Sequence, residues 1–341
     1  MLIVNIIKLA KKLNLSPTTV SRALGGYSDV SELTRRRVRD FAEKYNYSPN
    51  PHASNLASNK SNAVGFVIPL YGLNHNTLNQ ISYFKFVAGM SNQINKENIL
   101  FYMLFARSAK EEKESYEKLI EINKVKNIII HNVRTKDERV EYLNKNKINF
   151  VAWGRSNNID YSWVDLDNEL SAEMIVDYII SKGHKKFAFI NVEEKYNFAF
   201  LRKKGFKKSL KKHSLIYDKS LYRTTSLEDP SFTKKIAIEL FEKNPNLDCI
   251  ICSTEYSSVG VIQACAELGI KIGIDISLIT YDGPIVDSLT NPQITAISHP
   301  FEELGSNAIR ILMSNQKDKD IKSHLVTPHI IDRGSVKSYK K

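Results

Sequence analysis

Between residues 16 and 22 the chain runs Ser16-Pro-Thr-Thr-Val-Ser-Arg22, a block of small hydroxyls closed by one arginine. Hydroxyls suit phosphate oxygens, and an arginine can hold a guanine edge through two parallel hydrogen bonds, worth about 1–3 kcal/mol of discrimination. Other spacings that could do chemistry are weaker. Cys249-x-x-Cys252 has the look of a metal or redox pair, but on a strand residues three apart point to opposite faces, and there is no second pair to complete a zinc site. The eight histidines show no ligand spacing, and the phosphate loop G-x-x-x-x-G-K-[ST], the fingerprint G-x-G-x-x-G and the elbow G-x-S-x-G are all missing. No catalytic residue, metal or cofactor is expected, and the chain does not read as an enzyme.

The hydroxyl block needs a scaffold, and its flanks supply one. Ile6, Leu9, Ala10 and Leu13 recur at helical spacing up to Asn14, a residue that tolerates the left-handed conformation of a tight turn. Ser16 then caps a second helix with Pro17 at its first position, and Gly25-Gly26 ends it. Two short helices joined by a tight turn form a helix-turn-helix. Its second helix enters the major groove, placing Pro17, Thr18 and Arg22 at base edges and Ser16, Thr19 and Ser21 at phosphates. A third helix from the cap Ser31 is expected to turn Leu33, Val38, Phe41 and Ala42 inward and Arg35, Arg36, Arg37 and Arg39 outward. Charge agrees. The chain carries a formal +12, and residues 1–62, under a fifth of its length, hold ten cations against four acids, half of that excess.

At 341 residues there is room for roughly two domains beside this head, and 42% apolar residues exclude wholesale disorder. No apolar run approaches the roughly 20 residues that span a bilayer, no cleavable leader is visible at the start, and three cysteines suit a reducing compartment. A cytoplasmic, nucleoid-associated protein is expected. Residues 49–61 are small, polar and punctuated by proline, a linker with Leu56 as its one large apolar side chain. From Ala63 onward strands at Val64–Ile68, Leu100–Phe105, Asn127–Ile130, Asn149–Trp153, Lys186–Ile190, Asp248–Cys252 and Ser277–Thr280 alternate with helices. That alternation implies α/β architecture, two parallel doubly wound sheets covered on both faces, with ligands beyond the carboxyl ends of the strands.

Particular residues sharpen the reading. Asn5 to Leu24, then Val30-Ser-Glu-Leu-Thr-Arg-Arg-Arg-Val38 and Tyr47-Ser-Pro-Asn50, resemble the head of the lactose/galactose-repressor (LacI/GalR) family, with Thr19-Val-Ser-Arg22 as a specific mark. In the body Val164-Asp-Leu-Asp-Asn168, Gly183 to Ile190, Arg202-Lys-Lys-Gly-Phe206, Ile279-Thr-Tyr-Asp-Gly283 and Ile297-Ser-His-Pro300 with Glu303-Leu-Gly305 are recognisable in family order. The resemblance implies an all-α head at 1–48, a hinge helix at 49–61 that orders on DNA, and a bilobed periplasmic-binding-protein-like body at 62–341. Crossovers are expected near 162, 290 and 323, giving one lobe from 62–162 and 291–322 and another from 163–290 and 323–341.

By the same resemblance Asn50 and Leu56 join the DNA-contacting set, Leu56 as a minor-groove wedge. Arg202 matches the arginine that holds ligand hydroxyls and Asp282 the cleft aspartate, with Tyr83, Trp153 and Phe198 available for stacking and Arg155, Thr254 and His299 completing the effector set. Thr254-Glu255, Gly283 and His299 depart from the usual residues, which suggests a retuned pocket. The Tyr196–Ala199 and Asp160–Trp163 segments look most like members that sense glucosides and other plant or storage sugars. The resemblance thus implies a homodimeric repressor of sugar-utilisation genes, released from a palindromic operator by a sugar. A purine-like co-repressor, or a sugar receptor without working DNA readout, would use the same body. The lysine-ended tail lacks apolar heptads, so a dimer rather than a zipper tetramer is expected.

Overall fold

The computed structural model describes residues 5–47, 63–70, 81–156, 160–225, 230–283, 290–315 and 320–339. Contacts divide the chain into two compact units, Met1–Asn62 and Ala63–Lys341. The expected contacts of Asn50 and Leu56, and the hinge itself, lie outside the described residues.

In the first unit, helices α1 (Ile6–Leu13), α2 (Pro17–Leu24) and α3 (Glu32–Lys44) are bounded by the capping residues the sequence offers. The Asn5 carboxamide oxygen accepts from Lys8 N–H at 2.9 Å, and Ser16 Oγ accepts from Thr19 N–H at 3.0 Å. Asn14 adopts the left-handed conformation (φ 57°) that turns α1 into α2. Leu9, Leu13, Val20, Ala23, Val30, Val38 and Ala42 form the small core. Two expectations for α3 fail. Leu33 is 83% exposed: at about 100° per residue it stands opposite Ala42 on the helix, so both cannot face inward. The arginine cluster is not wholly outward either, because Arg35 Nη1 donates to the Gly26 carbonyl at 3.2 Å and Arg37 Nη2 to the Leu13 carbonyl at 3.2 Å. These two side chains tie α3 to the ends of the other helices.

The second unit holds two six-stranded sheets. The first has the order β11-β5-β4-β3-β1-β2 and the second β12-β10-β9-β8-β6-β7. Strands β1 (Ala63–Pro69), β2 (Leu100–Ala106), β3 (Asn127–His131), β4 (Asn149–Trp153), β5 (Ser162–Leu166) and β11 (Ser323–Val326) pair in parallel. So do β6 (Phe187–Val192), β7 (Tyr222–Thr225), β8 (Cys249–Cys252), β9 (Ser277–Tyr281) and β10 (Thr295–Ile297), with β12 (Ile330–Ile331) antiparallel at the edge. The inner strands are apolar on both faces, as helices on either side require. Cys249 and Cys252 enter opposite core clusters, and all three cysteines are buried free thiols.

The lobe boundaries fall later than the sequence suggested. Strands β5 and β11 belong to the first sheet and β10 to the second, so the chain crosses between lobes after Leu166, after Ile297 and after Val326 rather than near 162, 290 and 323. Helix α4 (Ile81–Lys96) packs on α11 (Phe301–Ser314) in the first lobe, and α7 (Asn168–Ser181) on α8 (Asn197–Lys212) in the second. The α4–α11 contact is close enough that a methyl group on Gly305 would overlap the Phe86 carbonyl, and one on Gly89 the Glu302 carbonyl. The α7–α8 contact is lined by charge: Glu169, Glu173 and Asp177 meet Lys204, Lys208 and Lys212 at 2.7, 2.7 and 2.6 Å, each pair one helical turn from the last.

Candidate functional site: a cleft between the lobes

Described residues at the carboxyl ends of β1, β3, β4, β8, β9 and β10 converge on one cavity of about 200 Å³. Tyr83, Trp153, Arg155, Phe198, Arg202, Thr254, Asp282 and His299, the eight residues expected at the effector site, all line it.

Arg202 anchors the second-lobe side. It is 4% exposed; its Nε donates to Asn168 Oδ1 at 2.9 Å and its Nη1 to the Ser253 carbonyl. The guanidinium carbon lies 3.4 Å from the Tyr281 ring centroid and 4.8 Å from that of Phe198. Burial lowers its pKa. No carboxylate forms an ion pair with it among the described residues, so it presents a buried cation stacked on aromatic carbon. Asp282 is held from behind, its Oδ1 accepting from Arg333 Nη2 at 2.8 Å. Thr254 caps α10 (Glu255–Leu268), exchanging hydrogen bonds with Ser257. Gly283 leaves room for the Glu255 carboxylate, which would overlap a side chain there.

An aromatic wall forms the first-lobe side. Trp153 stacks face to face on Phe86 at 4.3 Å and meets Tyr83, Phe301 and His299 edge on. The Tyr83 hydroxyl accepts from Asn132 Nδ2 at 3.1 Å. Burial, with Arg202 nearby, pushes the His299 imidazole down, which keeps it neutral.

Two lining residues, Arg139 and Asp165, stand outside the expected effector set. Arg139, on α6 (Glu138–Lys145), is 8% exposed and forks onto Asp137 at 2.8 and 2.6 Å while its Nη1 reaches Glu112 at 2.9 Å. Asp-Glu-Arg at a helix start reads as solvated surface, so local pattern could not reveal this buried triad. Asp165 was legible in principle, as a carboxylate in the middle of the apolar strand β5. It accepts from Asn168 Nδ2 at 3.0 Å and faces Arg155 Nε at 3.4 Å.

Burial pushes Asp165 up to about 7, with Arg155 and Arg202 opposing. The folded chain then keeps a proton that the unfolded chain loses near pH ~4, so its contribution to stability is complete below that pH and is lost as pH rises to 7. Asp165→Asn is therefore expected to raise the melting temperature at pH 8 by at least about 3 °C and to leave it unchanged near pH 4. Equal shifts at the two pH values in thermal unfolding would contradict the assignment.

The lobes touch across the cleft mouth. Thr135 N–H donates to the Lys195 carbonyl and Asn197 N–H to the Val133 carbonyl, both at 2.9 Å, around an antiparallel bridge between Arg134 and Tyr196. Asn197 Nδ2 adds a bond to the Arg155 carbonyl at 2.5 Å.

In the first unit the groups of the hydroxyl block divide by role. Pro17, Thr18 and Ser21 are exposed on α2. Ser16 and Thr19 bond each other, Oγ to Oγ1, at 2.8 Å as part of the helix cap. Arg22 is paired with Asp29 at 2.7 Å.

Two family models match the chain: "Bacterial regulatory proteins, lacI family" over residues 6–50 and "Periplasmic binding protein-like domain" over 176–336. The HTH-type transcriptional regulator AglR of Rhizobium meliloti (strain 1021) is 33% identical over 284 residues, covering 82% of this chain and 78% of its own. The chain belongs to the LacI family. It is a DNA-binding transcriptional regulator, and its LacI-family relatives are regulators rather than enzymes. Among solved structures, the Lac repressor dimer bound to operator and the anti-inducer ONPF superposes with a TM-score of 0.83 at 19% identity, covering 99% of this chain and all of that one. The transcriptional regulator CelR in complex with cellobiose gives 0.73 at 20% identity, covering 97% and 99%. At those identities the two structures establish the LacI-family fold. No helix among the described residues is long and apolar enough to cross a membrane.

Proposed function

We propose that this LacI-family chain is a homodimeric repressor of sugar-utilisation genes that leaves a near-palindromic operator when a sugar closes its cleft. The observation that carries the reading is Arg202: a buried guanidinium lying on Tyr281 and Phe198, opposite the Trp153 wall. A sugar presents a ring of hydroxyls and an apolar face, and such a ligand is held by charge-assisted hydrogen bonds on one side and flat aromatic carbon on the other. The solved CelR–cellobiose complex, a sugar in a body of the same fold, supports this class. A two-fold dimer places its two heads on half-sites one helical turn apart, which is why the operator is expected to be palindromic. In the head, Pro17, Thr18 and Arg22 read base edges and Ser16, Thr19 and Ser21 hold phosphates; in the hinge, Asn50 adds a DNA contact and Leu56 wedges into the minor groove. The cytoplasm, with the nucleoid as binding partner, is the place of action.

Selection of bound duplexes from a random library by the full-length chain, at near-physiological salt and with or without a sugar pool, tests the reading. A palindromic site released by the pool is the expected result. Salt-sensitive binding without sequence preference would overturn it.

A further inference from the structure

The guanidinium of Arg22 does not hang freely from α2. Its Nη2 lies 2.7 Å from Asp29 Oδ2, and its carbon lies 4.6 Å from the centroid of the Tyr27 ring. Its Nε is covered and has no hydrogen-bond partner among the described residues, where the polar contact of its side chain runs through Nη2 to Asp29. The turn that delivers both neighbours is specifically built. A methyl group on Gly25 would come within 2.8 Å of the Tyr27 ring, so the glycine lets the ring lie back over the helix end. Gly26 takes the left-handed conformation (φ 73°), Tyr27 N–H returns to the Arg22 carbonyl at 3.1 Å, and Arg35 pins the Gly26 carbonyl from α3.

We propose that Asp29 and Tyr27 are positioning residues that set Arg22 for base recognition. A guanidinium carries two hydrogens on each terminal nitrogen. Asp29 takes one from Nη2, which leaves one on Nη2 and both on Nη1 available. The forward pair, one hydrogen from each nitrogen, matches two acceptors on one base edge, as guanine O6 and N7 provide. A flexible arginine loses rotamer freedom when it binds; one already clamped by a carboxylate and a ring has lost much of it beforehand. The inference rests on the reading of Arg22 as a base contact. It also separates two effects, because Asp29 carries a negative charge that opposes binding to any polyanion while favouring one geometry of Arg22.

The test uses the full-length chain, its selected operator, a panel of operators with each base pair replaced in turn, and a scrambled duplex at the same salt. Arg22→Ala locates the base pair: replacing it is expected to cost the parent about ten- to a hundred-fold in affinity and the variant almost nothing. Asp29→Asn is then expected to shrink the cost at that same base pair to about three-fold or less, leave the other positions unchanged, and bind the scrambled duplex as tightly as the parent or more tightly. Asp29→Glu, which keeps the carboxylate, is expected to recover part of the discrimination. Parental discrimination in Asp29→Asn overturns the proposal, and so does a uniform loss at every position and on the scrambled duplex. If Arg22→Ala maps to no base pair, the base-contact reading falls first and the positioning role with it.

Discussion

The Arg202→Ala protein is expected to hold its operator as the parent does and to ignore sugar. Arg202 is buried, and alanine would leave Asn168 Oδ1 and the Ser253 carbonyl without their charged donor inside the cleft. A hydrogen bond to a charged group contributes about 1.5–3 kcal/mol, so losing those that a ligand and these partners share should raise the sugar concentration needed for release by at least about a hundred-fold. Operator affinity without sugar should stay within about three-fold, because the head is a separate compact unit with its own core. Titration of a preformed operator complex with sugar reads both quantities. Release at the parental sugar concentration would remove Arg202 from the ligand site. Lysine is an informative second variant, since it keeps the charge and loses the planar fork.

The second large effect concerns stability. Arg139→Met is expected to cost the body about 3–5 kcal/mol, because the buried carboxylates Asp137 and Glu112 lose the cation they share, while Glu112 keeps its 3.3 Å contact to Arg134. At about 2–4 °C per kcal/mol for a unit of this size, the melting temperature should fall by roughly 6–20 °C. The pH dependence comes from Asp137. Burial alone would raise its pKa, but the Arg139 hydrogen bonds and charge hold it below the usual carboxylate value. A lowered folded-state pKa stabilises above the unfolded pKa and is lost as pH falls through the folded one. The gap between parent and variant should therefore be widest at pH 7–8 and narrow toward pH 4. Adding Glu112→Gln and Asp137→Asn should recover part of the loss, since the carboxylate charges that Arg139 balances are then gone. A melting temperature within about 2 °C of the parent at pH 7 would mean that the triad does not hold this wall.

The parts of the molecule that were legible in the sequence are those fixed by neighbours in the chain. Ser16 and Ser31 cap their helices, Asn14 turns, and the alternation of apolar runs with amphipathic ones yields the strands and helices of the body. Tyr83, Trp153, Arg155, Phe198, Arg202, Thr254, Asp282 and His299, expected from family motifs and from the stacking a sugar needs, all line one cavity. Features set by distant partners were not legible. Strand β11 joins the first sheet by pairing with β5 over 150 residues away, and the three-residue β10 joins the second; neither membership leaves a local mark. The Arg139 triad looked like a solvated helix start because its acids lie two and 27 positions off, and what buries them is the lobe around them. Leu33 misled for a different reason: it is apolar but stands on the wrong side of α3.

At the mouth of the cleft the lobes are joined by Thr135 N–H, Asn197 N–H and the carbonyls of Lys195, Val133 and Arg155, with the Asn197 side chain adding its own bond. Peptide groups are common to every residue except for the amide hydrogen that proline lacks. Drift in the lining can therefore alter which molecule is welcomed while the clasp is inherited unchanged. A laboratory library that randomises the positions around Arg202 and spares Asn197 would, on this view, sample new specificities in variants that have kept the means to close.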